Sequence, residues 1–158
     1  MLEYLKRLVL QKFDSLGIAE NFEVSKNFDK NETVLFSIEA IKINQRNWKQ
    51  TRGVVITTKG MYNLNGKIVR RFVESQNIRG CIYSSKSYEL VIHIPNESDY
   101  HYVVSEHMEK MIYYIYVCKQ LNSNTPVELV LVKTVISNDL GHRVLSPICS
   151  QRNAKIRR

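Results

Sequence analysis

The chain has 158 residues, 44% of them hydrophobic, and Lys plus Arg outnumber Asp plus Glu by 23 to 15. That length supports one domain with its own core, and that apolar fraction excludes a disordered chain. The excess of cations gives a sequence pI of about 9.4, which points to an acidic partner such as anionic lipid, nucleic acid or an acidic protein surface.

No uncharged apolar run approaches the ~20 residues of a membrane-spanning helix. A secretory leader is not expected, because Lys6, Arg7 and Lys12 interrupt the place of its apolar region, and Glu3 and Asp14 count against a mitochondrial presequence. Cys81, Cys118 and Cys149 lie far apart and are odd in number, which suits packed thiols in a reducing compartment rather than a disulfide framework. The richness in Asn, Ile, Lys and Tyr suggests an AT-rich protist genome.

In chain order, Leu2–Leu16 predicts an amphipathic helix with Leu2, Leu5, Leu8, Val9, Phe13 and Leu16 on one stripe and Gly17 as its stop. Such a helix packs on the rest of the fold or binds a membrane surface or partner. Ile18–Asn31 carries no strong pattern and reads as a linker. Thr33–Ile43 alternates, with Val34, Phe36, Ile38 and Ala40 on one face; Ile41 and Ile43 switch parity, so a bend or bulge is expected there. Further strands follow at Arg52–Thr58, Gly60–Leu64 and Lys67–Val73, the last two joined by an Asn65–Gly66 hairpin turn. In the last of these, Ile68, Arg70 and Phe72 should oppose Val69, Arg71 and Val73. Ile78–Tyr83, Tyr88–Ile94 and Tyr100–Val104 complete the strands, with Tyr88, Leu90, Ile92 and Ile94 on one face and Pro95 as a terminator.

Ser105 is expected to cap a helix running to Leu121, with Glu106 and Glu109 early and Lys119 late, as the dipole favours. Met108, Met111, Ile112, Ile115 and Cys118 form its buried stripe, and Tyr113, Tyr114 and Tyr116 broaden it. Val127–Val135 reads as one more strand, and Asp139–Arg158 as loop and basic tail. The expected organisation is an N-terminal helix and linker over residues 1–31, a strand-rich domain over 32–122 and an extension over 123–158. The fold class is α+β: a small antiparallel barrel closed by one helix.

Catalytic signatures are absent. No glycine-rich phosphate loop or nucleophile elbow occurs, and His93, His101, His107 and His142 lack metal-ligand spacing. No enzyme activity, metal or cofactor is expected. The chemical signal is instead Lys42, Arg46, Lys49 and Arg52, four cations in eleven residues with no acid among them. Lys42 and Arg52, facing each other across a hairpin mouth, could grip a phosphate as point charge and fork. Trp48 at the loop tip suits insertion into a membrane interface or a partner pocket. Lys67, Arg70, Arg71 and Arg79 form a second, scattered set. Arg152, Lys155, Arg157 and Arg158 make a basic tail. It has no RNA-recognition aromatics beside it, so nucleic acid is disfavoured.

The run Phe36–Pro95 resembles the tail homology domain of class I myosins, a variant of the pleckstrin-homology (PH) fold. The likeness rests on Lys42-x-Asn44-x-Arg46, on Arg52 opening a β-branched strand that ends at Thr58, on Tyr62–Leu64, on Ile78–Gly80 and on Val91–Pro95. It spans residues 33–121. The resemblance implies a PH-like seven-stranded antiparallel barrel or sandwich capped by a C-terminal helix, often phosphoinositide-binding, with lipid phosphates met at Lys42 and Arg52. No motor, calmodulin-binding segment or kinase accompanies it here.

Two functions fit. One is a non-catalytic adaptor, peripheral to a phosphoinositide-containing membrane and held by Lys42, Arg46, Lys49, Arg52 and Trp48. The other is a structural subunit of a cytoskeletal or ciliary assembly, held through its helix, barrel and tail on an acidic protein surface such as tubulin. Both place it in the cytoplasm, at the membrane periphery or in such an assembly.

Overall fold

The computed structural model describes residues 12–132. Nine strands appear there: β1 (Phe13–Asp14), β2 (Val34–Ile43), β3 (Lys49–Thr57), β4 (Gly60–Asn65), β5 (Ile68–Glu74), β6 (Gly80–Ser84), β7 (Glu89–His93), β8 (Tyr100–Val103) and β9 (Glu128–Leu131). Two helices join them, the single turn α1 (Phe22–Ser25) and the longer α2 (Met108–Asn122). Strand order is β5-β4-β3-β2-β8-β7-β6-β9, with β1 beside β2. The result is an open sandwich: an antiparallel layer β2–β5 and an antiparallel layer β6–β8, meeting at β2 and closed by α2.

The core follows from alternation. Phe36, Ile38, Val54, Ile56, Met61 and Val73 from the first layer meet Cys81, Leu90, Ile92 and Tyr102 from the second, with the expected α2 stripe Met108, Met111, Ile112, Ile115 and Cys118 pressed between them. Phe36 also stacks on Tyr114, their ring centroids 5.5 Å apart. Tyr113 is half-buried and Tyr116 exposed, so only part of the tyrosine face of α2 is packing surface.

Several local expectations change. Phe13–Leu16 is not helical, and Leu2–Gln11 of the expected helix lies outside the described residues. The Asp14 carboxylate accepts from the amides of Ile18 and Ala19 at 2.9 and 2.8 Å, and Gly17 has a φ of 62°. That left-handed turn sends Phe13 into parallel pairing with Phe36 instead of continuing a helix. The segment Ile18–Asn31, expected as a linker, contains a 3-10 turn and α1. Ile18 and Val24 pack with Val34, Val55, Tyr62 and Leu64 on the outer face of the β2–β5 layer. Hydrophobic residues at Val54, Val55 and Ile56 are therefore all buried, odd and even alike.

The bulge in β2 falls between Val34 and Phe36, not at the parity change near Ile41; Ile41 is simply exposed. The β4–β5 hairpin forms, but Asn65 pairs with Ile68, which leaves Gly66 and Lys67 as its two loop residues, with Gly66 at φ 58°. Tyr88 has a φ of 55° and points out of the face formed by Leu90, Ile92 and Ile94. Ser105 does not cap α2: its φ of 73° is far from the extended backbone an N-cap needs, and a 3-10 turn over Ser105–His107 leads into the helix. After α2 the chain adds β9 parallel to β6, where it runs so close that a Cβ on Gly80 would lie 2.7 Å from the Glu128 carbonyl oxygen. Residues 133–135 of the strand expected over Val127–Val135, and the loop and tail beyond, lie outside the described residues.

Met111→Asp would place an unpaired charge beneath α2 and is expected to cost ~3 kcal/mol or more. An unchanged denaturant midpoint in a soluble variant would show that α2 does not close the core. Burial also pushes the Cys81 and Cys118 thiols up to about 12. Both should resist iodoacetamide at pH 8 in the native protein and react in denaturant, as peptide mapping would read. The sign of the linkage follows. In the unfolded chain these thiols ionise near the ordinary value of 9.0, so the fold should lose stability as pH rises from there toward 12.

Candidate anion-binding mouth

The β2–β3 turn is built by Asn44. Its side-chain oxygen accepts from the amides of Arg46 and Trp48, each at 2.9 Å, and its own amide donates to the Trp48 carbonyl at 3.0 Å. Asn47 completes the turn at φ 59°, in the left-handed region Asn tolerates. The Lys-x-Asn-x-Arg pattern is thus partly a turn device, which fixes the register in which Lys42 pairs with Gln50 and Ala40 with Arg52.

Because Ala40 and Val54 face the core, Lys42, Gln50 and Arg52 continue that inner face past the last apolar layer, at the open end of the sandwich. The Lys42 ammonium stands 4.6 Å above the Tyr100 ring. The Arg52 guanidinium donates to the Asn65 side-chain oxygen at 3.1 Å, the Gln50 side-chain oxygen at 2.9 Å and the Thr51 carbonyl at 3.0 Å. All three acceptors are neutral. A third cation joins them, because Arg71 pairs in register with Asn63, an inner-face residue. Lys42 is held below the ordinary lysine value by burial, then by the nearby Arg52 and Arg71 charges.

Two carboxylates share this end, and both are engaged. Glu97 pairs with Arg71 at 2.8 Å and Asp99 with His93 at 2.7 Å. Among the described residues, no ion pair involves Lys42 or Arg52. An open cleft of about 440 Å³ runs along the mouth, with Lys42, Arg46, Trp48, Gln50, Arg71 and the Asp99 carboxylate in its wall; Arg52 stands behind this wall and does not line it. Two buried polar atoms near it, the Asn63 side-chain oxygen and the Tyr100 hydroxyl, have no hydrogen-bond partner.

The expected site residues do not all converge. Lys42 and Arg52 share the inner face; Arg46 sits at the tip, 5.9 Å from the Trp48 ring. Lys49 pairs with Ile43 and so lies on the opposite face from Lys42 and Arg52. Arg152, Lys155, Arg157 and Arg158 lie outside the described residues. Arg71 is the residue that sequence pattern assigned elsewhere. A register shift between Asn63 and Leu64 leaves Arg70 as the extra residue of β5, so that Val69 and Phe72 face outward while Arg71 and Val73 face inward. The division of β5 into two strictly alternating faces is corrected accordingly.

The architecture is PH-like: a four-stranded layer, a three-stranded layer and a C-terminal helix. Among solved structures, the hSac2 domain from the human phosphoinositide phosphatase Sac2 is similar at a TM-score of 0.54, with 7% identity over 70% of this chain and 84% of that one. Weaker likenesses, which carry no argument, are the PH domain of human pleckstrin homology domain-containing protein family A member 5 and the linker-DH/PH domains of p115-RhoGEF. The first has a TM-score of 0.49 and 13% identity over 63% of this chain and 87% of that one. The second has a TM-score of 0.47 and 7% identity over 76% of this chain and 39% of that one. Identities this low speak to fold alone. No family model matches the sequence, and no curated protein matches it.

Lys42 is repelled by two neighbours and anchors no ion pair, so Lys42→Met should leave the melting temperature unchanged or raise it. A clear fall in melting temperature would mean that the ammonium supports the fold and is not held in reserve for a ligand.

Proposed function

We propose that this chain is a non-catalytic PH-like adaptor whose open end docks on phosphoinositide-containing membrane at the cytoplasmic face. One observation carries the reading. Lys42 and Arg52 stand together at the mouth without a carboxylate partner among the described residues, and burial first, then the nearby Arg52 and Arg71 charges, lower the Lys42 pKa. A multiply charged phosphate entering there would relieve that repulsion and accept charge-assisted hydrogen bonds from both. Arg71 supplies a third cation, and Arg46 and Lys49 add attraction from the tip. The finer assignment, to the myosin tail homology type of PH fold, rests on the Lys42-x-Asn44-x-Arg46 and Arg52 pattern. The basic tail adds long-range attraction that salt screens.

Vesicles containing phosphatidylinositol bisphosphate test this. Lys42→Ala and Arg52→Ala should each weaken binding roughly tenfold or more, since each removes charge-assisted bonds worth ~1.5–3 kcal/mol before screening. Truncation after Ser150 should give a milder loss that vanishes at high salt. Strong binding indifferent to both Lys42 and Arg52 would refute the site. No vesicle binding at all would refute the membrane reading and leave the structural-subunit function, for which loss of assembly incorporation on removing the N-terminal segment or tail is the corresponding assay.

A further inference from the structure

We propose that the open end docks on an anionic bilayer through three apolar points, with Ile68 and Phe22 as the second and third beside Trp48. This rests on the membrane reading above and specifies how the domain sits. Trp48, Ile68 and Phe22 are 62%, 59% and 77% exposed, among the barest large apolar side chains described. They belong to three separate pieces of chain that the fold brings to one end.

The placement follows from register. Gly53 pairs with Leu64, so the Gly66–Lys67 turn lies beside Gln50 and Thr51, at the same end as the β2–β3 turn. The Arg52–Asn65 hydrogen bond ties the two hairpins together directly beneath the Gly66–Lys67 turn and three ladder pairs below the β2–β3 turn. Ile68 pairs with Asn65, on the same face as Arg52 and Lys42, and so stands at the rim of the mouth. Phe22 opens α1, whose next residue, Glu23, reaches Lys67 at 3.4 Å; α1 therefore flanks the outer side of the same turn.

The composition of this end argues for a lipid surface as occupant. Tight turns ordinarily expose polar residues, yet here apolar side chains alternate with the exposed cations Arg46, Lys49 and Lys67. Apolar groups that enter the acyl boundary while Lys and Arg meet headgroup phosphates are the pattern of an interfacial anchor. Three separated points also fix an orientation, which one tryptophan on a loop cannot. Held this way, the mouth opens directly onto the headgroup layer.

Trp48 is the only tryptophan in the chain, so its emission reports its own environment. Vesicles of phosphatidylcholine, phosphatidylserine and phosphatidylinositol bisphosphate should shift that emission to the blue, and brominated acyl chains should quench it. Ile68→Trp and Phe22→Trp, each in a Trp48→Phe background, should behave likewise. Leu121→Trp in that background should not, since Leu121 lies at the other end, beside the Asn122 contact to Thr58. Ile68→Ser and Phe22→Ser should each weaken binding roughly fivefold to tenfold, as loss of a partly inserted apolar side chain implies. Their melting temperatures should stay at the wild-type value, because both side chains are already exposed. Quenching at position 48 with none at 68 and 22 overturns the three-point contact and leaves the membrane reading intact. Quenching at position 121 as well overturns the orientation. Absence of wild-type binding, or a blue shift produced by protein alone through self-association, overturns both.

Discussion

Everything in this fold depends on the pairing of β2. One edge of the strand bonds to β3 along nearly its whole length; the other is divided between β1 at Phe36 and Ser37 and β8 at Ile41–Ile43. The same ten residues thus belong to both layers, and the sandwich closes because β2 changes partner halfway. Its first half is buried on both faces, with Val34, Leu35, Phe36, Ser37 and Ile38 at 3% exposure or less. Its second half leaves the core toward solvent while the ladder to β3 continues. Lys42 lies on that emerging stretch, where the inner face is still walled by β8 and β3 but no longer filled by apolar side chains. A cation two residues closer to the core would have needed a buried partner; two residues further out it would have been an ordinary surface charge.

The strand sequence of the domain is readable without coordinates because each strand is bounded by a turn whose chemistry is local. Gly66 supplies the positive φ its hairpin needs, Pro95 ends β7, and the α2 stripe recurs at helical spacing. What resists reading is non-local. The shift of register in β5 arises from how that strand pairs with β4, and nothing in Ile68–Glu74 marks Arg70 as the extra residue. Strict alternation therefore misplaces Phe72 relative to Val69, and Arg71 looks like one of several scattered cations when it faces the mouth. The cover formed by Ile18, Val24 and Phe28 is hidden for a related reason. Its apolar residues are spaced irregularly, since each fills a gap above the sheet instead of lying on a helix face. One trace of it is in the sequence: Val54-Val55-Ile56 is apolar at successive positions, which a sheet with one solvated face does not need.

The mouth and the core divide the charged groups between two kinds of environment. Two polar groups away from the mouth are paired: Lys119 on α2 donates to the carbonyls of Gln76 and Ile78, and Glu32 accepts from the Thr57 and Tyr62 hydroxyls. At the mouth, by contrast, Arg71 alone is neutralised, through Glu97. Arg52 is oriented by neutral oxygens and keeps its full charge, and Lys42 lies over an aromatic face that accommodates a cation without cancelling it. The arrangement fixes their direction and leaves their field uncompensated.

Fixing the direction in advance matters for affinity. A long side chain that must be ordered when a ligand arrives loses about 0.5–1.5 kcal/mol of binding free energy to that ordering. Arg52 is already held by Gln50 and Asn65, so little of that loss remains, whereas among the described residues Arg46 is held only by its approach to the Trp48 ring. The two should therefore contribute differently to one and the same encounter. In the proposed docking, Arg46 and Lys49, exposed at the tip, would act early, through attraction that reaches about a Debye length into solution and weakens with salt. Arg52 and Lys42 would act late, at contact distance and partly shielded from water, where salt has less hold. Asn44 would link the stages: four hydrogen bonds clamp the turn through it, its side-chain oxygen accepting from the amides of Arg46 and Trp48 and its backbone bonding to Asn47 and Trp48, and they hold the tip in a fixed relation to the mouth.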